Sequence, residues 1–508
     1  MPPLTRTYGG DTPVDDNGES YYNIDGTDKK FVIRATTHIP DYYPSRTVID
    51  LSGMGLGQRE YKDPGQEVSV TLVITGSNDY GFVSSLSHGP GWMNRIKDVI
   101  SDREMRHVVM PGTHDSGMSK ITNKITPLGS APNTQTQGIN IYDQLRAGAR
   151  YCDLRVASVH DAVHNGDYSF WVLHVNDETA EVCAGNSGES LDDVVDEINK
   201  FTAENPGEVI FFRIRYLVGI RSIPSKGPIY WSTDITNDFF SKLKKVNNRC
   251  PNLDTDPTFA AQTAGYFMKQ NQGKGCVLFH LAGHLNDGVP QDSVGDGIYK
   301  AGVMGDLWDD WAEKDNTEDM VNKEMNDWNS LDRPGSSKFM VGQWLVTPDL
   351  LTAGTVGLQN IAILPTNPAL YFAGVNRMSP EHFPTVMMVD YIGVVVKDET
   401  DFDSLSADIY TLALGMNLYM VSENCDINKK RSPLLPKPKN SFMRLGAPAA
   451  KKLQPSRQLQ FSNGTVLHSP PADLHVGRVK ILKKGTRFSN GTVLTHDIPN
   501  PDYKSTRV

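Results

Sequence analysis

SLDDVVDEINKFTAENPGEVIFFRIRYLV, residues 190–218, is the stretch on which the fold reading turns. Its first half sets Leu191, Val194, Val195, Ile198 and Phe201 at helical spacing, and Ser190 with Asp193 offers a capping box at the start. Its second half is a nearly continuous apolar run, the pattern of a strand buried on both faces of a parallel sheet. The same alternation extends both ways. Upstream, HVVMPG (107–112), ARYCDLRVA (149–157) and FWVLHV (170–175) read as strands one to three, with IYDQLRAGA (141–149) a helix. Downstream come a helix, TNDFFSKLKKVNN (236–248), a fifth strand, GCVLFHLA (275–282), and two more apolar runs, KFMVGQWLVTP (338–348) and TVMMVDYIGVVV (385–396). SLSADIYTLALGMN (404–417) closes the series as a helix. Roughly 340 residues of this grammar predict an α/β fold, an irregular TIM-type (β/α) barrel.

The barrel is expected over residues 92–428. Before it, residues 1–91 alternate short β-type runs (KKFVIRATTHI, RTVIDLSG, EVSVTLVITG) with Gly, Pro and Asp turns, and SHGPGW (87–92) marks a hinge. They predict a small β-rich domain or extension. After it, residues 429–508 begin KKRSPLLPKPKN and hold 16 basic against 3 acidic residues, leaving 34 basic and 57 acidic groups in the rest of the chain. That split predicts a basic, disordered tail on an acidic body. FSNGTVL occurs there twice, at Phe461–Leu467 and Phe488–Leu494, and its Asn-Gly steps suit hairpin turns. Asn463-Gly-Thr465 and Asn490-Gly-Thr492 match the short glycosylation acceptor pattern.

Hydrophobic residues are 38% and charged residues 22% of the 508, an ordinary globular composition. No apolar stretch approaches the roughly 20 residues of a membrane span. The first twenty residues lack the apolar core of a secretory signal. The expectation is a chain that stays in the cell, leaves by another route, or has its signal outside this sequence. Cys152, Cys183, Cys250, Cys276 and Cys425 show no CxxC pair or zinc spacing and are expected as buried thiols, with one bridge left open. Nucleic acid is not an expected partner, because the body is acidic and the tail lacks interleaved aromatics.

The chemistry concentrates at apparent strand ends, where a barrel places its active site. MPGTHDSG (110–117) puts His114 and Asp115 just past the first strand. Asp153 and Arg155 share one face of the second, opposite Leu154. His174 ends the third apparent strand, and Asp390 interrupts the apolar run 385–396. Each alone has a bland alternative: a loop histidine, a structural ion pair, a satisfied core histidine, a capping carboxylate. Together they form the set that phosphodiester cleavage requires. One imidazole takes a proton from the nucleophile, a second gives one to the leaving oxygen, and a fixed cation meets the phosphoryl charge.

MPGTHDSG, QLRAGARYCDLRV and SLDDVVDEINKFTAENPGEVIFF, in that order, resemble the X region of the phosphatidylinositol-specific phospholipase C family, in its bacterial and fungal branch. The match covers residues 92–217 well and runs more weakly to about 420 through VMMVDYIG. The resemblance implies that His114 is the general base for the inositol 2-hydroxyl, oriented by Asp390. It implies that His174, supported by Asp115, is the general acid at the glycerol oxygen. Arg155 would contact the phosphate and Asp153 would hold the charge network. The products would be a cyclic inositol phosphate and diacylglycerol, formed from a phospholipid at a membrane surface.

Calcium-dependent relatives carry Asn after the first His and acidic ligands on the second strand; here Asp115 and Arg155 stand at those places, so no metal and no cofactor is expected. The family's His-Gly at the general acid is His174-Val175 here, which leaves His160 and His164 as alternatives. Arg213, Arg215, His280 and His284 are candidate inositol contacts. Trp308 and Trp311, three apart, are read as one face of a helix, packed or at a membrane rim. Two other readings stay open. A glycerophosphodiester phosphodiesterase would need His-Arg and a Glu-x-Asp pair at these motifs, and a silent inositol-lipid-binding module would bind without turnover.

Overall fold

The computed structural model describes residues 89–427, apart from 126–128, 162–166, 177–183, 223–227, 289–294, 334, 368, 371–377, 394–407 and 421–426. Beyond these it describes only the backbone of short strands near each end. The chain divides into two compact units, Met1–Pro40 with Glu67–Phe442, and Asp41–Gln66 with Met443–Val508. The second consists, where described, of three antiparallel pairs: Arg46–Asp50 with Gln58–Lys62, Gln458–Gln460 with Val466–His468, and Ile481–Leu482 with Ile498–Pro499. The expected disorder of the tail, its two Asn-Gly steps, Cys183, Cys425 and His164 lie outside the described residues.

The first unit holds the barrel, together with an antiparallel sheet of Ile33–Ile39, Val68–Ser77 and Gly81–Ser84. The barrel's eight strands, in chain order, are Met110–Thr113, Tyr151–Leu154, Glu208–Ile214, Gly275–Leu281, Ile298–Tyr299, Leu307–Trp308, Phe339–Trp344 and Val386–Val389. Each pairs in parallel with its neighbour in sequence, and the eighth pairs with the first. The one gap in the ladder falls between the fifth and sixth strands, which are also the shortest. This cyclic order is that of a (β/α)8 barrel opened at one seam.

Strand alternation sorts the side chains. Outward residues such as Cys152, Ile210, Phe212, Val277 and Phe279 pack with Leu191, Val194, Val195, Ile198 and Phe201 of the helix Leu191–Glu204. Its helical spacing was set by the sequence, and Ser190 caps it by accepting from the Asp193 backbone N–H at 3.1 Å. Inward residues Met110, Tyr151, Phe211, Leu278, Phe339, Val341 and Met388 fill the lower barrel. Phe211 is fully buried, 5.9 Å from Phe267 and 6.0 Å from Phe339 between ring centroids. Burial of a side chain this size contributes about 1.5–3 kcal/mol.

The lower end is closed by polar groups with every bond satisfied around Glu208, whose carboxylate accepts from the backbone N–H of Met93 and Asn94 and pairs with Arg150 at 2.6 Å. Two cysteines correct the expectation of buried thiols: Cys250 and Cys276 form a disulfide across 26 residues, while Cys152 is a buried free thiol. The sequence offered no spacing to predict that pair, because tertiary folding alone brings the loop beside the start of the fourth strand.

A second correction concerns FWVLHV. The strand Tyr168–Val175 does not enter the barrel; it pairs antiparallel with Val156–His160 and with Gly185–Ser190 in a second, five-stranded sheet. Val218–Arg221 and Ile229–Tyr230 complete that sheet. The reason lies in chain length. Residues 161–167 join the strands, with Asp161 N–H donating to the Asp167 carbonyl at 3.0 Å; this is far short of the dozen or more residues a parallel crossover needs. The second barrel strand continues past Arg155 into this sheet, so the sheet begins where the barrel's upper end stops. No helix among the described residues is long and apolar enough to cross a membrane.

Candidate active site

Two residues above the apolar filling, the same inward positions become polar. Tyr151 is followed by Asp153, Phe211 by Arg213, Leu278 by His280, Val341 by Gln343 and Met388 by Asp390. His114 stands above Gly112, whose backbone lies so close to Val386 and the Tyr151 carbonyl that a Cβ would meet them at 2.5 and 3.1 Å. The lower layer is a hydrophobic core, and the upper layer is a charge cluster.

His114 is its centre. Its Nδ1 lies 2.8 Å from Asp390 Oδ1, and its Nε2 lies 2.7 Å from the Arg155 guanidinium. A guanidinium only donates, so Nε2 is the acceptor and the ring proton sits on Nδ1, directed at Asp390. That tautomer leaves the basic lone pair on Nε2, facing the cation. The ring of His174 stands opposite, 6.2 Å between centroids and nearly perpendicular.

Arg155 occupies the break between the second barrel strand and its continuation, with its side chain held by Asp153 Oδ2 at 3.1 Å. Asp153 Oδ1 accepts from Arg215 Nε at 2.6 Å. Burial pushes the Asp153 carboxyl up, yet Arg215 and Arg155 outweigh it and hold it well below the usual carboxylate range. Burial likewise lowers Arg155, and Asp153 and Asp115 more than restore its proton affinity. Arg215 reaches on to Asp309 at 2.9 Å, which also pairs with Arg213 and accepts from Gln343 Nε2 at 2.6 Å. A continuous run of charge thus joins His114 to the sixth and seventh strands.

His174 sits on the strand Tyr168–Val175, opposite Asn186, and its Nδ1 is 3.5 Å from Asp115 Oδ2. Burial, then the charges of Arg155 and His114, push His174 down to about 3. Burial raises the Asp115 carboxyl well above its ordinary value. Both shifts favour the uncharged form of each group, and the two stand close enough for a proton to pass between them on a small approach.

The structure brings together His114, Asp115, Asp153, Arg155, His174 and Asp390, with Arg213 and Arg215 adjoining. His280 lies level with Arg213, fully buried, its ring 5.8 Å from that of Tyr151 and its basicity lowered by burial and by Arg213 and Arg215. His160 is committed elsewhere, with Nε2 2.7 Å from Ser158 Oγ, and His284 is exposed on the turn after the fourth strand. Asp309 and Gln343 escaped the sequence reading. Leu307–Trp308 is a two-residue strand, too short to show a period, and so Asp309 gave no strand-end signal. For the same reason Trp308 and Trp311 share no helix face; Trp308 is in the strand, half-buried, and Trp311 follows it, exposed.

No family model matches the chain. Among curated proteins it is 28% identical over 138 residues to a PI-PLC X-box domain-containing protein of Dictyostelium discoideum, covering 25% of this chain and 16% of that protein. It is 23% identical over 167 residues to the human PI-PLC X domain-containing protein 1, covering 29% of this chain and 48% of the other. It is 28% identical over 124 residues to the 1-phosphatidylinositol phosphodiesterase of Listeria monocytogenes, covering 24% and 32%. In these stretches the chain is similar to proteins of the phosphatidylinositol-specific phospholipase C X-domain type. Its matched part spans less than half the length of each of these curated relatives. Solved phosphatidylinositol-specific phospholipases C from Staphylococcus aureus and Listeria monocytogenes align with 65% of the chain and 99% and 98% of their own, at 16% and 14% identity and TM-scores of 0.42 and 0.41.

Proposed function

We propose that the chain is a phosphodiesterase that cleaves phosphatidylinositol-type lipids to diacylglycerol and a cyclic inositol phosphate. The observation that carries this reading is His114, fixed by Asp390 on one nitrogen and facing Arg155 with the other, with His174 across the gap.

His114 Nε2 accepts the proton of the inositol 2-hydroxyl as its oxygen bonds to phosphorus. The Nδ1–H to Asp390 bond stabilises the imidazolium formed. Arg155 neutralises charge on the non-bridging phosphate oxygens, a role in which one guanidinium contributes about 10²–10³ in rate. The phosphate's own charge offsets Arg155 and so favours transfer of a proton from the Asp115 carboxyl to His174. From there it passes to the glycerol oxygen as the P–O bond breaks. Both oxygens of Asp153 are taken by guanidinium groups, and Arg155, Arg213 and Arg215 surround the place a dication would occupy. This favours metal-independent chemistry, since a hard cation needs several free oxygen ligands.

A lipid surface is the partner proposed. Among the described residues the exposed large hydrophobic side chains are Tyr230, Trp311 and Val356. Exposed apolar side chains of this size suit contact with a lipid surface.

The test is phosphorus NMR on phosphatidylinositol vesicles with chelator present. A cyclic inositol phosphate resonance that grows without calcium is the expected outcome. No turnover with or without calcium, in protein that still binds the vesicles, would replace this reading with that of a silent lipid-binding module.

A further inference from the structure

Two residues that immediately follow members of the site adopt left-handed backbone without being glycine: Asp115, after His114, at φ 43°, and Tyr391, after Asp390, at φ 51°. Such conformations cost about 1–3 kcal/mol each and persist where the surroundings enforce them. Here one short segment, Gln135-Thr136-Gln137, grips both turns.

Gln137 is fully buried and uses both ends of its amide. Its Nε2 donates to the His114 carbonyl at 2.9 Å and to the Val389 carbonyl at 3.2 Å, and its Oε1 accepts from the Ile392 N–H at 3.2 Å. One side chain thus bridges the backbone of the loop that carries His114 and that of the turn that carries Asp390. Its neighbours add to the bridge. Thr136 Oγ1 donates to the Asp115 carbonyl at 3.1 Å, the Thr136 carbonyl accepts from Tyr391 N–H at 2.8 Å, and the Gln135 carbonyl accepts from the Tyr391 hydroxyl at 2.8 Å. The backbone N–H groups of Thr136 and Gln137 both reach the Met118 carbonyl.

We infer that Gln137 is a positioning residue that sets the distance between His114 and Asp390, with Thr136 as its auxiliary. The first and eighth strands meet at only four register pairs, ending at Val389 and Thr113. Beyond that point His114 and Asp390 stand on separate turns, and the 2.8 Å contact between them depends on what holds the turns together. The His114 N–H to Val389 carbonyl bond contributes at 3.2 Å and Asn367 Nδ2 holds the Asp390 carbonyl at 2.8 Å, while Gln137, alone among these side chains, reaches the backbone of both turns. Replacing the amide removes three hydrogen bonds and leaves the His114 carbonyl and the Ile392 N–H without those partners, while the Val389 carbonyl keeps the His114 N–H.

The inference rests on the proposed role of His114, so the test separates the two. Full-length protein labelled with ¹⁵N at histidine reports the His114 Nδ1–H directly, as a low-field proton resonance that Asp390→Asn abolishes. Gln137→Met is expected to abolish or strongly weaken that resonance while circular dichroism stays native, and Thr136→Val to weaken it less. Should Gln137→Met fail to fold, the isosteric Gln137→Glu, which keeps the acceptor and loses the donor pair, takes its place. Turnover of phosphatidylinositol vesicles should fall about 100-fold in Gln137→Met, the cost of a misplacement of about 1 Å. In an Asp390→Asn background the same change should cost less than about threefold, because both act through one contact. An unaltered low-field resonance in a folded Gln137 variant, or fully additive losses, would overturn the inference. If wild type shows no turnover, the functional reading fails, and the resonance still decides the role of Gln137.

Discussion

On the third barrel strand Phe211 and Arg213 point inward two residues apart, yet they belong to opposite regimes. Phe211 lies in an aromatic layer shared with Tyr151, Phe267 and Phe339, where packing supplies stability. Arg213 lies in a layer where three guanidinium groups pair with the carboxylates of Asp153 and Asp309, each of those charges answered by a neighbour. The ladder, the spacing and the direction of the side chains are the same in both. What differs is distance from the barrel's open end. The charges are gathered at the upper end, and the cost of keeping them there is met by the layer below.

Substitutions in the two layers should therefore separate stability from rate. Phe211→Ala, in the lower layer, should cost about 3–5 kcal/mol of unfolding free energy by denaturant titration. Its activity per folded molecule should be nearly unchanged. A parallel fall in that activity would mean that the layers are not independent. Arg155→Met, in the upper layer, should lower turnover about 10²–10³-fold. Its loss of stability should be much smaller than that of Phe211→Ala, because Asp153 keeps Arg215.

The smallest effect is a pH dependence rooted below the barrel. His107, just before the first strand, is pushed down to about 2 by burial, then by Arg333, Arg106 and Arg103. Its folded-state affinity for protons is below that of the unfolded chain, so its contribution to stability is present above pH 6.5 and fades as pH falls below it. The unfolding free energy should decline on acidification by at most about 1.4 kcal/mol per pH unit for this group, and His107→Gln should make the slope shallower. His174, pushed to about 3, acts in the same window with the same sign. A slope unchanged by His107→Gln would place the acid sensitivity in the upper layer.

The two layers also differ in how far the sequence disclosed them. Long apolar runs announced the lower barrel, and polar interruptions in those runs announced His114, Asp153, Arg155 and Asp390. The helix at 191–204 was readable from its period. Short elements carried no period, which hid the fifth and sixth strands and with them Asp309. FWVLHV had the composition of a barrel strand but a connection too short to be one, and the seven-residue link was the signal that composition outweighed. Gln137 and the Cys250–Cys276 pair were invisible for a common reason: each is defined by a partner far along the chain.

The central claim is that the upper layer is a catalytic apparatus organised by His114. Its most direct test is the rate of cyclic inositol phosphate formation by His114→Ala beside wild type, with thermal unfolding measured on the same samples. The account predicts that the rate falls by about 10⁴, the upper range for loss of a general base, while the unfolding midpoint stays close to that of wild type. A variant that unfolds like wild type and still forms the cyclic product at a comparable rate would contradict it.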